Sequence, residues 1–377
     1  MPSEPTEPDA ETARTPPDEI RLSSAESQRA VVEPSVSSSN RRQSFWSGIR
    51  WGVCILIVLF VADRAIKLWQ HDDLQDWDFQ FRWLILAAGV NVLGWLPAVF
   101  VWRRMLRLGG ADVPVKFVAR AYFAGHLGKY IPGKAAVLAV RAALIKPWGA
   151  GIWLSMMTST LETLATMSLG LMAALCLVVS GAVPGTHWLS GWVGGGPADP
   201  AAVATTPLSN VWYAILILLG VVPTICWACS GLLIRFLLAL RPVWNQSGRT
   251  WRIPWSSWLL LTIGWGIHGV SYGLTLKGIT GETMQWHDWP TWTAAVSWAT
   301  AGAFFVFLVP GGLGVREGLL IEFLRLQPGM SPRVAVASAV LLRLVWLAAE
   351  FIAASTLFVW FYRDSRAVGQ EAEGRTD

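Results

Sequence analysis

The sequence predicts an all-α, polytopic membrane protein with about seven or eight transmembrane helices and two segments that are broken by proline and glycine or re-entrant. Of its 377 residues, 53% are hydrophobic and only 15% are charged, whereas a soluble domain carries about 25% charged residues. The chain also holds 24 tryptophans, a residue that favours the membrane–water boundary. Finally, several apolar runs approach the roughly 20 residues that a helix needs to cross the hydrocarbon.

Three regions follow from composition. Residues 1–42 are rich in Pro, Glu, Ser and Thr, which predicts a disordered cytoplasmic tail. Residues 43–362 are predicted to form the transmembrane domain, and residues 363–377 a short polar C-terminal tail. The predicted spans lie at residues 45–67, 83–102, 149–183, 211–234, 258–276, 292–309 and 334–362.

Loop charges predict the orientation. Lys and Arg are concentrated in the loops after the second and fourth spans, whereas the loop after the first span carries Asp72, Asp73, Asp76 and Asp78, and residues 185–210 contain no Lys or Arg. By the positive-inside rule this pattern predicts a multi-pass protein of the inner, cytoplasmic membrane with a cytoplasmic N-terminus. The side of the C-terminus stays open. Because the net charge of +5 is spread over short loops, a nucleic-acid partner is not expected.

The first broken segment covers residues 116–146 and contains the run Gly128-Lys129-Tyr130-Ile131-Pro132-Gly133-Lys134. Pro132 can occupy the first turn of a helix, whose N-terminal amides would then point at the break. Lys129 and Lys134 flank this point, and Arg141 follows on nearly the same helix face. The pattern suits an anion such as a lipid phosphate. A cytoplasmic loop whose lysines only set topology is the alternative.

The second broken segment covers residues 310–326 and begins Pro310-Gly311-Gly312-Leu313-Gly314-Val315-Arg316-Glu317. The glycines allow a close approach of backbone to a ligand or a neighbouring helix. Arg316 is a second candidate for binding phosphate. Glu317 is a candidate for an internal charge network, although a glutamate in a first turn is also an ordinary helix cap.

Further charges lie inside the predicted spans: Glu162 in the third, and Arg343 and Glu350 in the last. Such residues normally face the protein interior, so we expect partners on other helices, for example Glu162 with Arg343. A purely structural ion pair is the alternative. His268 lies on a glycine-rich span, where glycines favour close helix packing. A hydrogen-bonded core histidine is expected there, with a proton relay as the alternative.

Other signals are weaker. Asp72 or Asp73 could serve a polyprenyl-dependent glycosyltransferase as base or metal ligand, although a solvated acidic loop is favoured. Cys226 and Cys229 form a C-x-x-C inside an apolar run and are predicted to be small buried hydrophobes. We expect no metal, no cofactor, no catalytic residue and no nucleotide-binding motif.

The two glycine–proline motifs, together with Arg343 and Glu350, resemble the transmembrane region of the lysylphosphatidylglycerol synthase family over residues 45–362. That resemblance implies a flippase-like membrane domain. From the two broken basic segments and the buried charges, we expect Lys129, Lys134, Arg141 and Arg316 to hold a lipid phosphate. Glu162, Glu317, Arg343 and Glu350 would then form the charge network. The aminoacyltransferase domain of the full-length synthases is not expected in this chain, so the synthase activity is not implied.

The function expected from the sequence is therefore the binding and translocation of an anionic lipid or a polyprenyl-phosphate-linked glycan. Two alternatives stay open: a membrane glycosyltransferase, and a non-transporting scaffold for a cell-envelope enzyme. A soluble glycosyltransferase or aminoacyltransferase is the protein partner that such a scaffold would bind.

Overall fold

The computed structural model describes residues 79–130, 135–184, 212, 214–230, 253–306, 312 and 314–360. This part of the chain contains nine α-helices and no strand, which confirms the predicted all-α membrane class. The predicted first span, the loop with Asp72 and Asp73, and both predicted tails lie outside the described residues. The helices are α1 (Phe81–Leu108), α2 (Val115–Leu127), α3 (Ala135–Ile145), α4 (Ile152–Val179), α5 (Ala214–Ser230), α6 (Trp255–Thr280), α7 (Trp289–Phe305), α8 (Val315–Arg325) and α9 (Pro332–Trp360).

Four of these helices are long and apolar enough to cross a membrane: α1, α4, α6 and α9, with 26 to 29 residues each. At a rise of 1.5 Å per residue they are about 40 Å long, which exceeds the roughly 30 Å of hydrocarbon. Within the described residues the number of full-length spans is thus lower than the predicted seven or eight. The sixth predicted span is shorter than expected because α7 stops at Phe305, where Val306 adopts an extended backbone ahead of the glycine motif.

The centre of the fold is the pairing of α1 with α6, against which α9 also packs. A side chain at Gly264 would place its Cβ 2.8 Å from the carbonyl oxygen of Gly94. The glycines therefore let the two helix backbones approach closely, as predicted for this span. Ser271 of α6 donates a hydrogen bond to the Ala87 carbonyl of α1 at 2.8 Å and accepts one from the Trp346 indole of α9 at 3.3 Å.

Helices α2 and α3 form an antiparallel pair, which we call the first hairpin. The α-carbon of Gly128 faces the backbone of Val137, and that of Gly125 faces the Arg141 side chain. With 13 and 11 residues, the two helices are about 20 Å and 16 Å long, too short to cross the bilayer. The predicted interruption is present, since α2 ends at Leu127 and α3 begins at Ala135.

Helices α7 and α8 form the second hairpin. Gly302 of α7 faces Leu319 of α8, and Gly312 faces Ala303, so these helices also run antiparallel. The predicted break lies between them, at the glycine motif that begins with Pro310. Gly312 and Gly314 have φ of +64° and +79°, values that favour glycine.

The basic connection between α1 and α2 is held by side chains rather than by further secondary structure. Arg103 donates to the Val113 carbonyl at 2.8 Å, and Arg107 donates to Asp112 at 2.7 Å. This hydrogen bond from Arg107 lowers the pKa of the Asp112 carboxyl. Arg104 donates to Ser256 at 2.9 Å, which places the start of α6 at the same end of the molecule.

Candidate functional site

One face of α9 gathers charges inside the helix bundle. Arg343, Trp346 and Glu350 are spaced by three and four residues, so they share one face of the helix. Glu350 and Trp346 are buried, and Arg343 is largely covered. A charge in an apolar bundle needs a partner of opposite sign. The partners come from the two hairpins.

The first hairpin supplies Lys129. This residue lies in the short 3-10 turn Gly128–Tyr130 that directly follows α2. Its ammonium group donates to Glu350 Oε1 at 2.6 Å. The Glu350 side chain is 1% exposed, whereas that of Lys129 is 28% exposed. The ion pair therefore attaches the end of α2 to α9 while leaving part of the lysine accessible.

The second hairpin supplies Glu317 and Arg316 from the first turn of α8. Glu317 Oε2 accepts the backbone N–H of Gly314 at 2.8 Å, so it caps the helix. Its other oxygen, Oε1, accepts from the Arg343 guanidinium at 2.5 Å. The helix cap and the charge network, which the sequence left as alternatives, are thus two roles of one carboxylate.

The Arg316 side chain points to the same face of α9. Its guanidinium carbon lies 4.2 Å from the centre of the Trp346 ring, a cation–π contact. Lys129 is near enough to interact electrostatically with both Arg316 and Arg343. We call Lys129, Arg316, Glu317, Arg343 and Glu350 the α9 cluster. All five members were predicted from the sequence, Lys129 and Arg316 as phosphate-binding residues and Glu317, Arg343 and Glu350 as members of a charge network.

Arg141 belongs to a different site. Its guanidinium donates to Ser159 at 2.8 Å and to Glu162 at 3.0 Å. Both charged side chains are only 1% exposed. Glu162 also accepts from Tyr122 at 3.2 Å and from Thr166 at 3.0 Å. We call this set the α4 network.

The α4 network changes two predictions. The suggested pairing of Glu162 with Arg343 is wrong, because Glu162 pairs with Arg141 and Arg343 pairs with Glu317. The structure also gives Arg141 partners that differ from those of Lys129 and Arg316. Its guanidinium lies over the Tyr122 ring at 4.0 Å and the Trp102 ring at 5.0 Å. A buried guanidinium enclosed by two rings and a carboxylate leaves little access for a lipid headgroup.

Several predicted residues lie outside the described part of the chain. These are Pro132, Gly133 and Lys134 of the first motif and Pro310 and Gly311 of the second. Their proposed roles stay predictions. Cys226 is buried, as predicted, but Cys229 is exposed. No group of three His, Cys, Asp or Glu residues that could hold a metal occurs in the described ranges.

Sequence reasoning missed two residues of the site. Trp346 lies between the two predicted charges of α9, so helical spacing alone could have placed it on their face. His126 lies three residues before Lys129 and is buried against Trp95 and Tyr122, with ring centres 4.6 Å apart in both contacts. His268 is buried, as predicted, yet its Nδ1 has no hydrogen-bond partner among the described residues.

Two comparisons with known proteins gave no match. No family model matches the chain, and no curated protein matches it.

Proposed function

We propose that the protein binds an anionic lipid, or a polyprenyl-phosphate-linked glycan, at the α9 cluster and translocates it across the membrane. The observation that carries this proposal is the difference in access within each ion pair. Lys129 is 28% exposed against 1% for Glu350, and Arg343 is 16% exposed against 9% for Glu317. A ligand approaching the cluster therefore meets cations before it meets carboxylates.

The chemistry of the cluster suits a phosphate. Ammonium and guanidinium groups form short, charge-assisted hydrogen bonds to phosphate oxygens, and guanidinium can do so in a bidentate manner. Lys129, Arg316 and Arg343 supply these groups from three different elements. A phosphate of a lipid headgroup would take the place of Glu350 or Glu317 as the partner of a cation.

Such an exchange supplies a route to movement. Among the described residues, an ion pair joins each hairpin to α9: Lys129–Glu350 for the first and Glu317–Arg343 for the second. If the phosphate takes over the cations, both attachments weaken and the hairpins can shift relative to α9. The free energy available for this shift is the difference in ligand affinity between the two arrangements.

The resemblance to the transmembrane region of the lysylphosphatidylglycerol synthase family supports the same proposal. Described residues of its two motifs, Gly128–Tyr130 and 314–317, lie at the end of α2 and at the start of α8.

The test is a headgroup-accessibility assay with a fluorescent phosphatidylglycerol in vesicles containing the purified full chain. We expect Arg316→Ala and Lys134→Ala to slow translocation about 10-fold or more. Loss of one hydrogen bond to a charged group costs about 1.5–3 kcal/mol, which corresponds to roughly 10- to 100-fold.

The matched control is Arg325→Ala, which removes an arginine from the same helix, α8. Arg325 pairs with Glu322 at 3.2 Å on an exposed surface, so its loss should leave translocation unchanged. Translocation at the wild-type rate in Arg316→Ala would overturn the α9 cluster as the site, whereas a wild-type rate in Lys134→Ala would remove only the predicted role of Lys134. No lipid movement with the wild-type chain would favour a non-transporting scaffold.

A further inference from the structure

Two buried histidines lie beside the α9 cluster without belonging to it. His126 is in the last turn of α2 and is 9% exposed, and His268 is near the middle of α6 and is 2% exposed. Both imidazoles pack against the indole of Trp95, each with 4.6 Å between ring centres. One aromatic ring therefore connects two titratable side chains from different helices.

Each histidine is also adjacent to a cation of the α9 cluster. His126 precedes Lys129 by three residues, which places the two side chains on the same side of the helix end. The His268 ring lies 4.9 Å from the Trp346 ring, and Trp346 in turn carries the Arg316 guanidinium at 4.2 Å. A charge change on either imidazole is thus felt directly at the proposed phosphate site.

The polar atoms around Trp95 are not satisfied by the described residues. Nδ1 of His126, Nδ1 of His268, the Trp95 indole N–H and both amide atoms of Asn91 are buried without a hydrogen-bond partner in this part of the chain. Asn91 precedes Trp95 by four residues on α1, so it lies on the same helix face. Buried polar groups are almost always paired. A small cavity between α1 and α6, bordered by Trp95, Gly264 and His268, gives room beside the Trp95 and His268 side chains.

The charged groups around His126 and His268 determine when these imidazoles can be protonated. The described parts of α1 and α7 contribute no titratable side chain here. The α4 network contributes Tyr122 and the ion pair Arg141–Glu162, whose two charges balance. The α9 cluster contributes Lys129, Arg316 and Arg343 against Glu317 and Glu350. Burial and the nearby cations both oppose a positive charge on the imidazoles, and an anion bound to the cations would offset their repulsion.

We infer that His126 and His268 form a proton-binding site that is coupled to the anion site, so that a bound proton and a bound lipid phosphate stabilise each other. This inference rests on the proposed function and adds its energy source. The proton passes from a hydronium ion to the unprotonated ring nitrogen and releases water, with no other bond changed. Coupling between two ligands is reciprocal, so a proton gradient could drive movement of the anion.

The test measures binding of a short-chain phosphatidylglycerol to the full chain in detergent by isothermal titration calorimetry. Its phosphodiester keeps one negative charge between about pH 8 and about pH 5, the range in which histidine titrates. We expect the affinity of the wild-type chain to rise at least about fivefold as the pH falls. His268→Gln and His126→Gln should each reduce this rise to less than about twofold.

The control is Tyr272→Phe, one turn after His268 on α6. It removes a buried hydroxyl that hydrogen-bonds Ser338 at 3.1 Å but no group that titrates in this range, so the pH response should persist. If His268→Gln does not fold, the pH response of His126→Gln alone tests the inference. A flat wild-type response, or an equal rise in the histidine variants, overturns the inference. No binding at any pH instead contradicts the proposed function and removes the inference with it.

Discussion

Single residues distinguish the α4 network from the α9 cluster. In the α4 network both charges are 1% exposed, and the carboxylate has hydroxyl partners from Tyr122 and Thr166. In the α9 cluster the cations keep part of their surface exposed. A fully buried ion pair suits a structural role, since breaking it leaves a buried charge without a partner of opposite sign. A partly open pair suits an exchange of partners.

We therefore expect Arg141→Ala to destabilise the protein more than it alters lipid binding. Truncation leaves Glu162 buried and unpaired, which costs about 3–5 kcal/mol. Thermal unfolding of the detergent-solubilised chain should show this loss, while the surface variant Arg325→Ala changes stability by less than about 1 kcal/mol. The double variant Arg141→Met, Glu162→Leu should recover most of the loss. A stable Arg141→Ala chain that no longer binds phosphatidylglycerol would contradict the structural role.

At the level of single residues, the sequence predicted which side chains share a helix face but not which helices they contact. Spacing along α9 correctly placed Arg343 and Glu350 on one face. Spacing along α3 placed Arg141 near Lys134 but could not show that α4 presents Ser159 and Glu162 to it. Periodicity describes one helix at a time, whereas an ion pair depends on which helices become neighbours.

Among the elements, the start of α8 combines several structural features in a few residues. Gly314 has a φ of +79°, and its N–H is bound by Glu317, which also pairs with Arg343. The backbone turn, the helix cap and the attachment to α9 therefore depend on one another. Glycine and proline predicted that the chain breaks here and at the first hairpin. They did not predict that both breaks would meet one helix, because that depends on tertiary packing.

A side chain at Gly314 should disturb all three features together. We expect Gly314→Ala to cost about 1–2 kcal/mol, since an L-residue is strained at this φ. The loss should be smaller in a Glu317→Gln background, where the attachment to Arg343 is already weakened. A double-mutant cycle of thermal unfolding measures this coupling.

The control for this cycle is Gly89→Ala on α1, where an added Cβ meets nothing within 4 Å. It should be neutral or slightly stabilising, because alanine favours helix over glycine by about 1 kcal/mol. Additive effects of Gly314→Ala and Glu317→Gln would show that the turn and the ion pair are independent.

At the scale of the whole molecule, the described helices form a bundle with two opposite ends. The basic α1–α2 connection lies beside Ser256 at the start of α6. At the opposite end, the Gln80 N–H donates to the Gly278 carbonyl at 3.0 Å, so the end of α6 lies beside the start of α1. Composition predicted the membrane class, and loop charges predicted which end faces the cytoplasm. Fewer full-length spans than predicted are described because the first predicted span lies outside the described residues, and the fourth and sixth correspond to the shorter helices α5 and α7.

The orientation can be measured with single cysteines in a chain whose four native cysteines are replaced by alanine. We expect a membrane-impermeant maleimide to label Asp112→Cys only from the cytoplasmic side and Glu282→Cys only from the outside. Both positions are exposed and lie at opposite ends of the bundle. Labelling of both from the same side would contradict the arrangement of α1 and α6, and the reverse pattern would contradict the positive-inside prediction.

The attachment of both hairpins to α9 also sets an order of events during synthesis. Lys129 and Glu350 are 221 positions apart in the chain, and α9 follows the other eight described helices. At translation rates of about 5–20 residues per second, the first hairpin must wait on the order of ten to forty seconds for its partner. Until α9 is synthesised, the ion pairs of Lys129 with Glu350 and of Glu317 with Arg343 cannot form. Arrival of α9 is therefore the step that commits both hairpins to their final positions.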